Sequence, residues 1–201
     1  MHLKVLILAR CVAEQGGHMA QALIVIDVQQ GLCEGEGRAY QSDRVIERIN
    51  QVSGLARAAG VPVIFVQHEG RSGYLSHGSR AWQLADGLVH EPQDYRIRKT
   101  TPDAFLGTEL QEKLRALAVQ EVVICGMHTE FCVDTTTRRA LALGYPVILL
   151  EDAHTSAGNS ALSAAQVIAH HNATLTNISS FGPKARAVCS ADMRFDKLSR
   201  T

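Results

Sequence analysis

The sequence predicts an α/β protein in three layers, α/β/α, with a mostly parallel six-stranded sheet between two layers of helices. Short continuous apolar runs rich in β-branched residues recur along the chain, at 22–26 (ALIVI), 61–66 (VPVIFV), 121–125 (EVVIC) and 146–150 (PVILL). Runs without polar alternation suit strands buried on both faces, as in a parallel sheet. Between them lie stretches with apolar residues at helical spacing, long enough for crossover helices. The chain has 201 residues, 46% of them apolar. That supplies one substantial core and points to one domain.

Each element follows in order. Residues 1–18 carry Lys4 before a short apolar stretch, 5–9, which mildly resembles a secretion signal. The stretch is too short for that, and no small-residue cleavage site follows. Residues 1–18 are expected to be an N-terminal extension and 19–201 the domain. After the first strand, 22–26, a helix is expected over 43–59, with Val45, Ile46, Ile49, Val52, Leu55 and Ala56 on one face and Gly60 as its stop. The second strand, 61–66, leads into 71–94, a Gly- and Ser-rich stretch without period. Long loops in compact domains are commonly functional or mobile. A weaker third strand, 95–98, precedes a helix over 108–118 with Leu110, Leu114 and Leu117 on one face. The fourth strand, 121–125, runs into a helix over 130–143 that Gly144 stops. The fifth strand, 146–150, precedes an Ala-rich helix over 160–171, and 173–178 is the expected last strand.

Composition excludes several classes of function. Lys+Arg and Asp+Glu both number 20, so the net charge is zero. Nucleic acid and anionic membranes call for a basic surface, and neither is expected as a partner. No apolar run approaches the roughly 18–20 residues of a membrane span. The five cysteines, Cys11, Cys33, Cys125, Cys132 and Cys189, are odd in number and contain no C-x-x-C pair. Neither a zinc knuckle, a thioredoxin-like dithiol nor a disulfide scaffold fits. A reducing, cytoplasmic setting with mostly buried thiols is expected.

Ligands of parallel α/β sheets bind beyond the carboxyl ends of the strands. Asp27 follows the first strand, Gln67-His68-Glu69 the second, Lys99 the third, Gly126 to Cys132 the fourth, and Glu151-Asp152 the fifth. Cys132 falls in the first turn of a helix, where free N–H groups and a nearby Lys99 are expected to lower its thiol pKa. Asp27 is placed to carry a proton, and the backbone N–H groups of 126–132 to hold an oxyanion. Each residue has a plainer alternative: Cys132 as a small buried side chain, Asp27 as a turn cap or metal ligand, Lys99 as a solvated charge. Their meeting at one sheet edge favours acyl transfer through a thioester.

These residues carry a family resemblance. Gly126-x-x-Thr129-x-x-Cys132-Val133-x-x-Thr136-x-x-x-Ala140-x-x-x-Gly144-Tyr145-x-Val147, then Asp152-Ala153, resembles the core signature of the isochorismatase-like cysteine hydrolases. Residues 22–29 (ALIVIDVQ) resemble the first-strand motif of that superfamily, and Arg98-Lys99 followed by Asp103-Ala104-Phe105 its lysine motif. The likeness runs from about residue 20 to 181. It implies the strand order 3-2-1-4-5-6, a catalytic triad of Asp27, Lys99 and Cys132, and an oxyanion hole from the N–H groups of His128 and Cys132. It also implies a cis peptide between Met127 and His128, and a homodimer or larger homo-oligomer. Gln29, His68, Trp82 and Phe131 are the expected substrate-pocket residues, with Cys33 close by.

Departures from the family pattern sharpen the expectation. Leu32 stands where relatives often carry Phe. The Asp-x-His metal motif of nicotinamidases is missing after the second strand, leaving only His68, Glu69 and His77 for such a role, so no metal and no cofactor are expected. Isochorismatases proper lack the cysteine and cleave a vinyl ether. With Cys132 present, the resemblance implies a cysteine-dependent hydrolase of a small amide, carbamoyl or ureido compound. The alternative is the same fold without amidase activity, with Cys132 as a redox-sensing or ligand-binding thiol. Asp152 is expected to anchor the loop below the site, and Cys189 to lie in a late helical stretch.

Overall fold

The structure, a computed structural model, describes residues 19–195. The extension 1–18, with Cys11, lies outside the described residues. Six strands form one sheet: β1 (Gln21–Ile26), β2 (Val63–His68), β3 (Tyr95–Lys99), β4 (Glu121–Met127), β5 (Val147–Thr155) and β6 (Ala185–Val188). Their order is β3-β2-β1-β4-β5-β6, and every neighbouring pair is parallel. This is the expected order 3-2-1-4-5-6, with its switch point between β1 and β4.

The period of two in each strand divides the core into two faces. Leu23, Val25, Val63, Phe65, Val123, Cys125, Ile148 and Leu150 pack beneath α2 (Ser42–Ala59), through its Val45, Ile49 and Val52. A short α1 (Gln30–Cys33) precedes α2. On the opposite face Ile24, Ile26, Ile64, Val66, Ile124 and Leu149 meet α3 (Leu110–Ala116), α4 (Asp134–Ala142) and α5 (Ala164–Thr176). Among the described residues, no helix is long and apolar enough to cross a membrane.

Three elements differ from expectation. β5 continues to Thr155, so Glu151 and Asp152 lie within the strand rather than after it. The last strand is Ala185–Val188, and residues 173–176 belong to α5. Ser163 caps α5 in a capping box with Gln166, which sets its start, and Ala164, Val167 and Leu175 then fall on its buried face. The β-branched Thr176, which suggests a strand, turns its hydroxyl back onto the Asn172 carbonyl at 2.8 Å, as helical threonines do. Cys189 likewise lies beyond β6, just before a single 3₁₀ turn (Ser190–Asp192) and not within a longer helix.

β4 and β5 lose register near their carboxyl ends. Ile124 faces Leu149, but Gly126 faces His154, so β5 bulges over 150–153. The bulge carbonyls find side-chain donors: Asn172 on α5 donates to Glu151 O at 2.9 Å, and Arg48 on α2 to Asp152 O at 2.7 Å. The 71–94 stretch is tied along the start of α1. Gln30 N donates to Gln83 O at 2.8 Å, Gly31 N to Ala81 O at 2.9 Å and Ala85 N to Val28 O at 2.9 Å.

Candidate active site

Three strand ends converge at the switch point. Asp27 follows β1 with a left-handed φ of 50°, Lys99 ends β3, and Cys132 lies in a π-helical turn (Thr129–Val133) between β4 and α4. The helix expected over 130–143 thus starts with a wider turn, closed by Val133 N donating to His128 O at 3.2 Å. Gly126 lets β4 approach β1 here: with a φ of 117°, any Cβ would run into the Ile26 backbone. The peptide between Met127 and His128 is cis, as the resemblance implies.

Asp27 and Lys99 are 1% and 2% exposed. The Lys99 ammonium lies 2.6 Å from Asp27 Oδ2, 3.1 Å from Cys132 Sγ, 3.1 Å from Thr101 O and 3.3 Å from His68 Nδ1. Charges out of water persist when paired and hydrogen-bonded, and this ammonium is surrounded by acceptors. Asp27 Oδ1 is buried without a partner among the described residues. It is the carboxylate's spare acceptor.

The thiol state corrects one expectation. Burial, reinforced by the Asp27 charge, outweighs Lys99 and pushes the Cys132 thiol up to about 12. That direction favours the protonated thiol beside the Asp27 carboxylate over a resting thiolate. Burial and the Lys99 charge lower the pKa of His68, and burial that of His128, so both imidazoles favour the neutral form.

The expected pocket residues separate. His68 joins the cluster directly. Gln29 is fully buried and its amide is spent on scaffolding: it accepts from His68 N at 2.8 Å and donates to His68 O at 3.0 Å and Trp82 O at 2.9 Å. It holds two walls of the site together. Trp82 stands in a T-shaped contact with His77 at 4.6 Å between ring centroids, and its indole N–H is buried and unpartnered among the described residues. Phe131 is 57% exposed, next to Cys132 in the π-helical turn. Cys33 is buried beneath β4, 3.9 Å from the sulfur of Met127, and burial pushes its thiol up to about 12. Asp152 anchors the residues after β6 rather than a loop below the site: it accepts from Ser190 N at 2.8 Å and Ser190 Oγ at 2.9 Å.

Ligand atoms of Asp27, His68 and Cys132 lie within 4.8 Å of one another, a spacing that suits a metal ion. All three already face the Lys99 ammonium, which holds the place a cation would take. Of the other candidate donors, Glu69 pairs with Arg98 at 3.0 Å and His77 lies 3.1 Å from the same guanidinium. Gln67, which the sequence places at this edge without assigning it a role, donates its amide to Trp82 O at 2.9 Å and accepts from Arg96 at 3.2 Å. Its place between His68 and the apolar run was the available signal.

Comparison with known proteins points the same way. The isochorismatase domain model matches residues 21–180. A streptothricin hydrolase of Streptomyces noursei is 36% identical over 135 residues, 67% of this chain and 49% of that protein. The chain thus spans about half the length of the streptothricin hydrolases it matches. A crystal structure of an isochorismatase family protein has a TM-score of 0.77 at 38% identity, covering 84% of this chain and 98% of that one. A cysteine hydrolase from Pseudomonas syringae pv. phaseolicola 1448A gives 0.77 at 25% identity, covering 86% and 90%.

Proposed function

The chain belongs to the isochorismatase family, and from that premise we propose that it is a metal-independent cysteine hydrolase of a small amide, carbamoyl or ureido compound. The observation that carries the proposal is the single buried ammonium bridging a carboxylate at 2.6 Å and a thiol at 3.1 Å. As Cys132 Sγ bonds to the substrate carbonyl carbon, its proton passes to Asp27 and the carbonyl electron pair moves onto oxygen. The N–H groups of His128 and Cys132 hold that oxyanion. Collapse breaks the C–N bond, and the nitrogen leaves with the proton from Asp27. Water then adds to the thioester, giving a proton to Asp27. The C–S bond breaks, and sulfur recovers the proton. Lys99 keeps the carboxylate in place and offsets charge on sulfur. The raised thiol pKa suits this sequence, in which deprotonation accompanies attack. No cofactor enters it.

A redox-sensing thiol needs a low pKa and open access. A thiol pushed up to about 12 by burial disfavours that alternative. The small-molecule substrate, the cytoplasmic setting and a homodimer or larger homo-oligomer belong to the same proposal, and sedimentation reads the assembly. The test of the chemistry is ammonia release from a panel of small amides and ureides. Folded Cys132→Ala is expected to abolish it; near-wild-type turnover by that variant overturns the mechanism.

A further inference from the structure

One buried histidine has no part in the chemistry above. His154 is 1% exposed, and the β5 bulge sets it opposite Gly126, where β4 turns toward Cys132. Its Nδ1 lies 2.8 Å from the hydroxyl of Thr129, the fully buried first residue of the π-helical turn. Its Nε2 lies 2.8 Å from Asn172 Oδ1. The Asn172 amide donates to Glu151 O, which identifies Oδ1 as the atom facing the ring. Nε2 therefore carries the ring proton, and Nδ1 accepts from the Thr129 hydroxyl. Burial supports the neutral ring this pattern needs, holding the His154 pKa at about 4.

We propose that His154 is a positioning residue: the chain Asn172–His154–Thr129 locks the π-helical turn to β5 and α5, and so fixes where Cys132 presents its sulfur. Each link is directional. Asn172 sets the tautomer, the tautomer makes Nδ1 an acceptor, and the acceptor holds the threonine at the head of the nucleophile's turn. Removing the imidazole or the hydroxyl leaves the partner buried without a hydrogen bond and frees the turn to shift. Small displacements of a nucleophile are costly to a reaction that depends on alignment.

The consequence for turnover rests on Cys132 being the nucleophile, so the experiment has one readout that needs no substrate. Full-length His154→Leu, His154→Gln, Thr129→Val and the double variant His154→Leu/Thr129→Val are compared with wild type in Cys132 alkylation by iodoacetamide at neutral pH. The same proteins are assayed on the best substrate of the amide panel, with thermal denaturation measuring the folded fraction. His154→Leu and Thr129→Val are each expected to lower kcat by about tenfold to a hundredfold with little change in KM. Both are also expected to speed alkylation several-fold as the turn loosens and the thiol meets water. The double variant is expected to match the worse single one, and His154→Gln to recover part of the loss. Where His154→Leu fails to fold, Thr129→Val carries the test. Wild-type alkylation and kcat in the folded variants overturn the proposal, as does a kcat loss that only follows the folded fraction, or additive effects in the double variant. If Cys132→Ala stays active, the hydrolase mechanism fails, while the alkylation rates still decide whether His154 positions the thiol.

Discussion

Lys99 carries its charge where a lone ammonium would be expensive, and Asp27 is equally buried. Breaking such a pair from one side leaves the other charge stranded, at a cost of about 3–5 kcal/mol. Lys99→Met is therefore expected to lower unfolding free energy by roughly that amount in urea titrations. Asp27→Asn/Lys99→Met is expected to regain most of it, because no charge is left unpaired, without regaining any hydrolysis. Asn suits the position, since it tolerates the left-handed backbone of residue 27. Equal stability of the single and double variants would overturn the stranded-charge account. Asp27 and Cys132 were legible in the sequence because each comes after an apolar run readable as a buried strand, and Lys99 because it ends a weaker strand candidate and sits in a motif resembling the family's lysine motif. The Cys132 protonation state was not. Helix position and a nearby lysine argue for thiolate, and only the burial and the closeness of Asp27 reverse the sign.

Between residue and fold stand the elements that hold the site's walls. The start of α1 and the 81–85 stretch exchange backbone hydrogen bonds, and Gln29 and Gln67 both donate to Trp82 O. Gly31 lies inside this contact. A Cβ there would meet Ala81 Cβ at 2.8 Å and the Tyr74 ring at 2.9 Å. Gly31→Ala is expected to push the Trp82 wall outward and raise KM more than it lowers thermal stability. Steady-state kinetics beside a melting curve checks this. The sequence shows 71–94 as aperiodic, which identifies a loop but not its partner, because single backbone pairings leave no periodic trace. The α5 boundary is hidden in the sequence for a related reason. Threonines near a helix end look β-like until their hydroxyls are seen bonded back to the preceding turn.

Over the whole molecule, buried apolar runs and crossover helices made a parallel sheet covered on both faces readable, whereas its strand order and switch point followed from the family resemblance. The folding equilibrium as a whole also reports one buried group. Burial lowers the His154 pKa from 6.5 to about 4, with His171 adding to the effect, and Asn172 and Asp152 opposing it. The unfolded chain therefore binds this proton more readily than the folded one. Stability from this group is complete above about pH 6.5 and is lost as the pH falls toward 4, a change of about 3 kcal/mol at about 1.4 kcal/mol per tenfold in proton affinity. Urea titrations of wild type and His154→Gln between those values are expected to show a steeper acid loss in wild type. Parallel slopes would sink this account.

The bulge in β5 has a consequence for how this chain tolerates change in length. Between Ile124 and Gly126 one strand advances two residues while its neighbour advances from Leu149 to His154. Those extra residues also act as a spacer whose length fixes the facing of everything after it. Shortening 150–153 by one residue reverses which face of the sheet every later side chain of β5 points to, sending Thr155 where His154 belongs. Substitutions of Glu151 should pass almost unnoticed, whereas a single-codon deletion beside it would disconnect two helical layers from the strand end they share.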